Sequence, residues 1–151
     1  MKKDIINIGE RLKLINAKYV ILAKETDYKN YFYLFNQSDL ELVKETENLY
    51  LFKNKNEVNK FYQTDNPNAK LMSLKYTQKS PIKYAIGKPD KKYVIFTEAF
   101  NENWRLGNQK SQKLGAVNLY EFKGNFVLKY ARFGVYLASY IISTAMLLFL
   151  L

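Results

Sequence analysis

The chain reads as a mainly β protein, β-sandwich-like, with a small α/β part at its N-terminus and one transmembrane helix at its C-terminus. Three observations carry that reading. Short segments of alternating apolar and polar residues recur between turn residues from Tyr19 onward. Tyr (13) and Phe (10) are abundant and fall largely within those segments, as expected for residues that fit a half-buried pleated surface. The last nineteen residues, Phe133 to Leu151, carry no charged side chain.

The elements follow in order. Ile5, Ile8, Leu12 and Ile15 recur at helical spacing, so Ile5 to Leu14 predicts a first helix. Tyr19 to Leu22 is a strand core. Thr26 or Asp27 can cap a short helix on which Tyr28, Tyr31, Phe32 and Phe35 form one aromatic face, expected to pack on a sheet. Leu40 to Val43 and Leu49 to Phe52, around the polar turn Glu45 to Asn48, predict a hairpin. Lys53 to Asn68, rich in Lys, Asn and Asp and containing Pro67, reads as a connector. Further strands are expected at Leu71 to Tyr76, Pro81 to Ile86, Tyr93 to Ala99, Trp104 to Leu106, Leu114 to Tyr120 and Phe126 to Tyr130, with polar breaks at Gly87 to Lys92 and Gly107 to Lys113. The subdivision is an α/β subregion over 1–62, a β-sandwich-like subregion over 63–130 and a transmembrane helix over 131–151.

At about 1.5 Å per residue the uncharged run rises roughly 28 Å as a helix, close to a bilayer's hydrocarbon thickness. A buried core helix is the alternative. Lys129, Tyr130, Arg132 and Tyr136 cluster at its start and suit a headgroup layer, where a cation or a hydroxyl stays wet above an apolar stem or ring. Ser139, Ser143 and Thr144 are tolerable inside, because a helical hydroxyl can bond a carbonyl one turn back. Met1 to Ala17 starts with basic residues, but Asp4, Glu10, Arg11 and Lys13 break any apolar stretch, so no signal peptide is read there.

Composition excludes several chemistries. Cys and His are both absent, which removes disulfides, thiolate nucleophiles and histidine-based general bases and metal sites. No Gly-rich phosphate loop or calcium loop occurs, so neither a cofactor nor a metal is expected. Glu41/Glu45 and Glu98/Glu102 are the carboxylate pairs visible along the chain, and each reads as a solvated face or strand end. The triplet Asn36-Gln37-Ser38 fits a glycosylation acceptor only at the level of chance. The net charge is +10, yet Lys residues are scattered between apolar positions rather than collected in runs, which argues against nucleic acid as a partner. Trp104, the only Trp, has two roles open: a plug of the sandwich core, or a platform that stacks on a sugar ring with Asn101, Arg105 and Asn118 nearby.

Two segments carry a family resemblance. In the first, Ile15-Asn16-Ala17-Lys18-Tyr19-Val20-Ile21 is followed by the phrase from Leu40 to Tyr50 and by Leu51-Phe52-Lys53-Asn54. In the second, Pro81, Tyr84, Phe96, Glu98, Phe100 and Trp104 precede Val117-Asn118-Leu119-Tyr120, and then Gly134 and Ile142-Ser143. Together they resemble the C-terminal region of large polytopic membrane proteins of the GT-C glycosyltransferase kind, including YfhO-like proteins. Leu119 departs from the pattern, standing where that family usually has glycine.

The resemblance implies a fragment of a longer chain: a β-rich extracytoplasmic domain followed by the closing helix. It implies that the catalytic acids lie in an early loop outside this chain, so the chain alone is expected to be non-enzymatic. The partners it implies are the lipid bilayer, the rest of a polytopic membrane protein, and a glycan or polyprenyl-phosphate sugar. Should the chain stand alone, it would instead be a tail-anchored binding module for glycan, anionic lipid or a partner protein. The positive-inside bias does not decide the side of the membrane, because long domains translocate largely regardless of charge.

Overall fold

The computed structural model describes residues 6–67 and 70–150. The expected element ends at Ile5, Asn68 and Leu151 lie outside them.

The N-terminal part is built on a three-stranded antiparallel sheet. A short helix α1 (Ile8–Leu12) runs into a 3₁₀ turn (Lys13–Ile15), and β1 (Tyr19–Ala23) follows. Strands β2 (Leu40–Glu45) and β3 (Leu49–Asn54) form the expected hairpin, and β3 lies between β1 and β2. The Thr46 hydroxyl closes the turn by accepting from the Leu49 amide at 3.1 Å. The aromatic segment Tyr28–Leu34 is a 3₁₀ helix, not an α-helix, and Asp27 gives it no side-chain cap. Its tighter winding of 3.0 residues per turn carries Leu34 into the core with Leu22, Leu40 and Phe52. Tyr31 and Phe32, expected on the packed face, stay substantially exposed. Phe35 still meets the sheet edge-on, 5.0 Å from the rings of both Tyr50 and Phe52.

The rest forms a sandwich of two five-stranded antiparallel sheets. The strands are β4 (Phe61–Thr64), β5 (Met72–Ser73), β6 (Tyr76–Ser80), β7 (Lys83–Ile86), β8 (Tyr93–Phe96), β9 (Trp104–Leu106), β10 (Gln109–Lys110), β11 (Gln112–Leu114), β12 (Val117–Glu121) and β13 (Val127–Tyr130). One sheet runs β10-β9-β13-β7-β6 and the other β11-β12-β8-β4-β5. Alternate residues of each face inward, so Tyr84, Leu106 and Leu128 from the first meet Phe61, Phe96 and Tyr120 from the second. The Phe61 and Phe96 rings stack at 4.8 Å. The outer face of the second sheet, with Tyr62, Ile95 and Leu119, is covered in part by Leu14. Beside it the buried Lys13 ammonium donates to the Leu71 carbonyl at 3.1 Å and lies 5.3 Å from the centre of the Tyr62 ring. The N-terminal part is thereby fastened to the sandwich.

Three further expectations change. The connector over Lys53 to Asn68 contains β4, a strand buried along its whole length between β8 and β5. Its polar half hides it in the sequence; those groups are satisfied by the Asp90 amide, which donates to the Gln63 side chain at 2.7 Å, and by Thr64 donating to the Asn66 carbonyl at 2.7 Å. The boundary at 62/63 therefore cuts a sandwich strand, and Phe61 and Tyr62 belong to the second part. The third change concerns the C-terminus. Helix α2 (Phe133–Leu150) forms as one element, but among the described residues no helix is long and apolar enough to cross a membrane. Its 18 residues rise about 27 Å against about 30 Å of hydrocarbon, and Gly134, Ser139, Ser143 and Thr144 dilute its apolar surface.

Candidate functional site

The four residues with a suggested glycan role sit at one corner of the sandwich, and two of them are buried inside it. Trp104 is 9% exposed. Its ring meets Phe96 edge-on at 4.9 Å, Tyr130 edge-on at 5.3 Å and Tyr84 at 6.0 Å. With those contacts the indole offers no open face for a sugar, and the core-plug role is the one it fills.

Asn118 is also fully buried. Its oxygen accepts from the Asn101 amide at 3.1 Å and the Ser111 hydroxyl at 2.8 Å, and its amide donates to the Glu98 carbonyl at 2.8 Å and the Ala99 carbonyl at 3.3 Å. Both ends of the side chain are therefore used in holding the loop between β8 and β9, and nothing is left to read a ligand. Asn101 continues the network by accepting from the Asn103 amide at 2.9 Å. Arg105, half-buried, donates to the Glu102 carbonyl. Two residues beyond Asn118, the Tyr120 hydroxyl is buried without a hydrogen bond. Burial raises its pKa, opposed by the nearby Ser111 hydroxyl and Arg105 charge.

The residues expected at a membrane interface do come together. Strand β13 ends at Tyr130 and α2 begins three residues later. The Tyr130 amide donates to the Ile82 carbonyl at 3.0 Å and the Ala131 amide to the Asn103 carbonyl at 2.7 Å, which ties the helix entry to the loops before β7 and β9. The Tyr130 hydroxyl accepts from the Asn103 side chain at 3.3 Å, and its ring lies 6.2 Å from that of Tyr136. Lys129 and Arg132 are exposed on either side of it. A cleft of about 410 Å³ opens at this junction, lined by Ser80, Pro81 and Ile82 from the turn before β7 and by Tyr136, Leu137 and Tyr140 from α2. Of this lining the sequence singles out only Tyr136 as an interface residue; the Ser80-Pro81-Ile82 side comes from a turn far away in the chain, so nothing in the local sequence indicates that the two would meet.

The carboxylates do not converge. Glu45 pairs with Lys24 at 2.8 Å, and that hydrogen bond lowers its pKa, while Glu41 is exposed. Glu98 pairs with Lys60 at 2.8 Å. Burial lowers the pKa of Lys60, but hydrogen bonds to Glu98 and Tyr84 outweigh it and leave the value raised. Among the described residues no group of three or more acidic side chains is placed to hold a metal ion. A second groove of about 570 Å³ beside β6 and β7, lined by Asn59, Lys75, Tyr76 and Thr77 among others, gathers no acid–base pair. No protein family, curated protein or solved structure matches the chain.

Proposed function

We propose that this chain is a non-catalytic β-sandwich head held at a membrane by α2, serving as an extracytoplasmic accessory domain of a glycosyltransferase-like polytopic membrane protein. One observation carries the membrane part. Val135, Leu137, Ile141, Ile142, Leu147 and Leu148 point in directions that circle the helix, and each is 52–70% exposed. Large apolar side chains on every side of a helix, left open to water, favour an apolar surrounding. Two of its hydroxyls are already satisfied internally, as such a surrounding favours: Ser139 donates to the Val135 carbonyl and Thr144 to the Tyr140 carbonyl, each at 2.9 Å. A rise a few Å short of the average hydrocarbon core is accommodated by local thinning at a fraction of a kcal/mol per Å.

The non-catalytic part is supported by composition and by the dispersal of the carboxylates into separate ion pairs. The parent-protein part rests on the sequence resemblance, as does any glycan or polyprenyl-phosphate sugar as ligand, since Trp104 and Asn118 are committed to the fold.

Alkaline carbonate extraction of membranes containing the full chain tests the anchor. The wild type should stay in the pellet, and Ile141→Lys/Leu147→Lys should be released. A wild-type chain that behaves as a soluble monomer removes the membrane reading. The absence of Cys makes Lys123→Cys a single reporter of sidedness. Labelling by an impermeant maleimide in intact cells is expected; labelling only after lysis rejects the extracytoplasmic placement.

A further inference from the structure

The register of the first sandwich sheet aligns four cations that are far apart in sequence. Lys110 pairs with Arg105, Arg105 with Lys129, and Lys129 with Lys83. Directly paired residues project from the same side of a sheet. Their neighbours Leu106, Leu128 and Tyr84 fill the core, so the four stand on the outer face. Adjacent strands are about 4.8 Å apart, which makes this a basic row about 14 Å long across β10, β9, β13 and β7. It is the cross-strand row at the helix end of the sheet: β7 starts at Lys83, and β13 runs from Lys129 through Tyr130 toward α2.

Like charges directly opposite one another destabilise a sheet, so the row is a cost to the fold unless something neutralises it. Lys13, Lys24, Lys60, Lys91, Lys92 and Lys123 make ion pairs at other places in the molecule. Among the described residues no carboxylate pairs with Lys110, Arg105 or Lys129. Composition alone would scatter lysines over both faces and both ends; it gives no reason for four paired positions in succession to be cationic beside an apolar helix.

We infer that this row binds the phosphates of anionic phospholipid headgroups in the bilayer that α2 enters, laying the outer face of the sheet against the membrane surface. The inference rests on the membrane reading given above and adds to it an orientation of the head and a lipid preference. Continuity decides for lipid over other polyanions. Lys129 of the row immediately precedes Tyr130, the cleft lined by Ser80, Pro81 and Ile82 adjoins its Lys83 end, and Arg132 extends the positive charge to the start of the helix. A headgroup there has phosphate-binding cations above it and an apolar cleft below.

The test uses the full chain reconstituted into nanodiscs of phosphatidylcholine alone or with phosphatidylglycerol added, read by lysine acetylation and mass spectrometry. In anionic discs, modification of Lys83, Lys110 and Lys129 should fall by about fivefold and recover at high salt. Lys123, beyond the opposite end of β13, should be modified equally in both. An Arg105→Gln/Lys129→Gln variant should lose the protection of Lys83 and Lys110 while still entering the discs. Equal modification in the two disc types overturns the inference and leaves the membrane anchor standing. Failure of the chain to enter either disc overturns both. Protection of the row in neutral discs only on adding a single-stranded oligonucleotide would assign it to nucleic acid and also overturn the inference.

Discussion

Asn118 and Tyr120 stand two residues apart on β12, both fully buried, and their polar atoms have opposite circumstances. Asn118→Ala leaves the Asn101 amide and the Glu98 and Ala99 carbonyls without their partner. Denaturant unfolding should show a loss of about 2–4 kcal/mol, since several buried groups lose a bond at once. Tyr120→Phe removes a hydroxyl that makes no hydrogen bond, so its stability should stay within about 1 kcal/mol of wild type. A Tyr120→Phe loss as large as that of Asn118→Ala would mean the hydroxyl has a partner. Trp104→Ala should cost about 3–5 kcal/mol through the cavity left among Phe96, Tyr84 and Tyr130. If instead it barely changes unfolding but weakens retention on a glycan column, the ring is not the core plug described above.

At the scale of elements, α1 is held against β3 by close contact rather than by a large apolar face. A Cβ at Gly9 would lie 2.5 Å from the Asn54 Oδ1 and 2.8 Å from the Asp39 carbonyl oxygen. The Asn54 amide donates to the Gly9 carbonyl at 2.7 Å, and the Glu10 amide donates to the Asp39 carboxylate at 2.9 Å, so neither neighbour can withdraw without losing a bond. Helix propensity alone favours Gly9→Ala by about 0.5–1 kcal/mol. The clash is the larger effect, and the substitution should destabilise by about 1–3 kcal/mol in thermal or denaturant melts. A stabilised Gly9→Ala protein would show that α1 is not seated on β3. The 3₁₀ helix Tyr28–Leu34 makes the same point about winding: its aromatic spacing is legible in the sequence, but whether 3.0 or 3.6 residues complete a turn decides which side chains are covered.

For the whole molecule, the absence of His predicts a wide pH plateau. No side chain has an ordinary pKa between about 5 and 8, so melting temperature should be nearly flat there. On the acid side, Asp65 is lowered from its ordinary 3.8 by the hydrogen bond from Lys91, and Glu45 from 4.5 by that from Lys24. Their contributions are complete above those ordinary values and are lost as pH falls through the lower folded ones. On the alkaline side, Lys24, Lys60, Lys91 and Lys92 are raised above 10.5, so their contributions are present below that value and fade as pH rises through the folded ones. Burial raises Tyr120 as well, and its effect has the same sign: the unfolded phenol ionises first, which costs stability above about 10. Most of these pairs are exposed, so both edges should be shallow. A steep change in melting temperature between pH 6 and 8 would contradict this account.

The sequence by itself determined the β-rich class, the β2–β3 hairpin, most sandwich strands and a single apolar C-terminal helix. Each is local: alternation, turn chemistry and the lack of charge act over a few neighbouring residues. Tertiary structure alone decided the rest. β4 has no alternation to read, because both its faces are covered and its polar groups find partners at Asp90 and Asn66. Trp104 had both a core role and a sugar-stacking role open, and Asn118 a sugar contact beside it, until their neighbours from β7, β8 and β13 and from the β8–β9 loop were in place. The basic row of Lys83, Arg105, Lys110 and Lys129 exists only through strand register, since a shift of one residue would turn each cation to the other face.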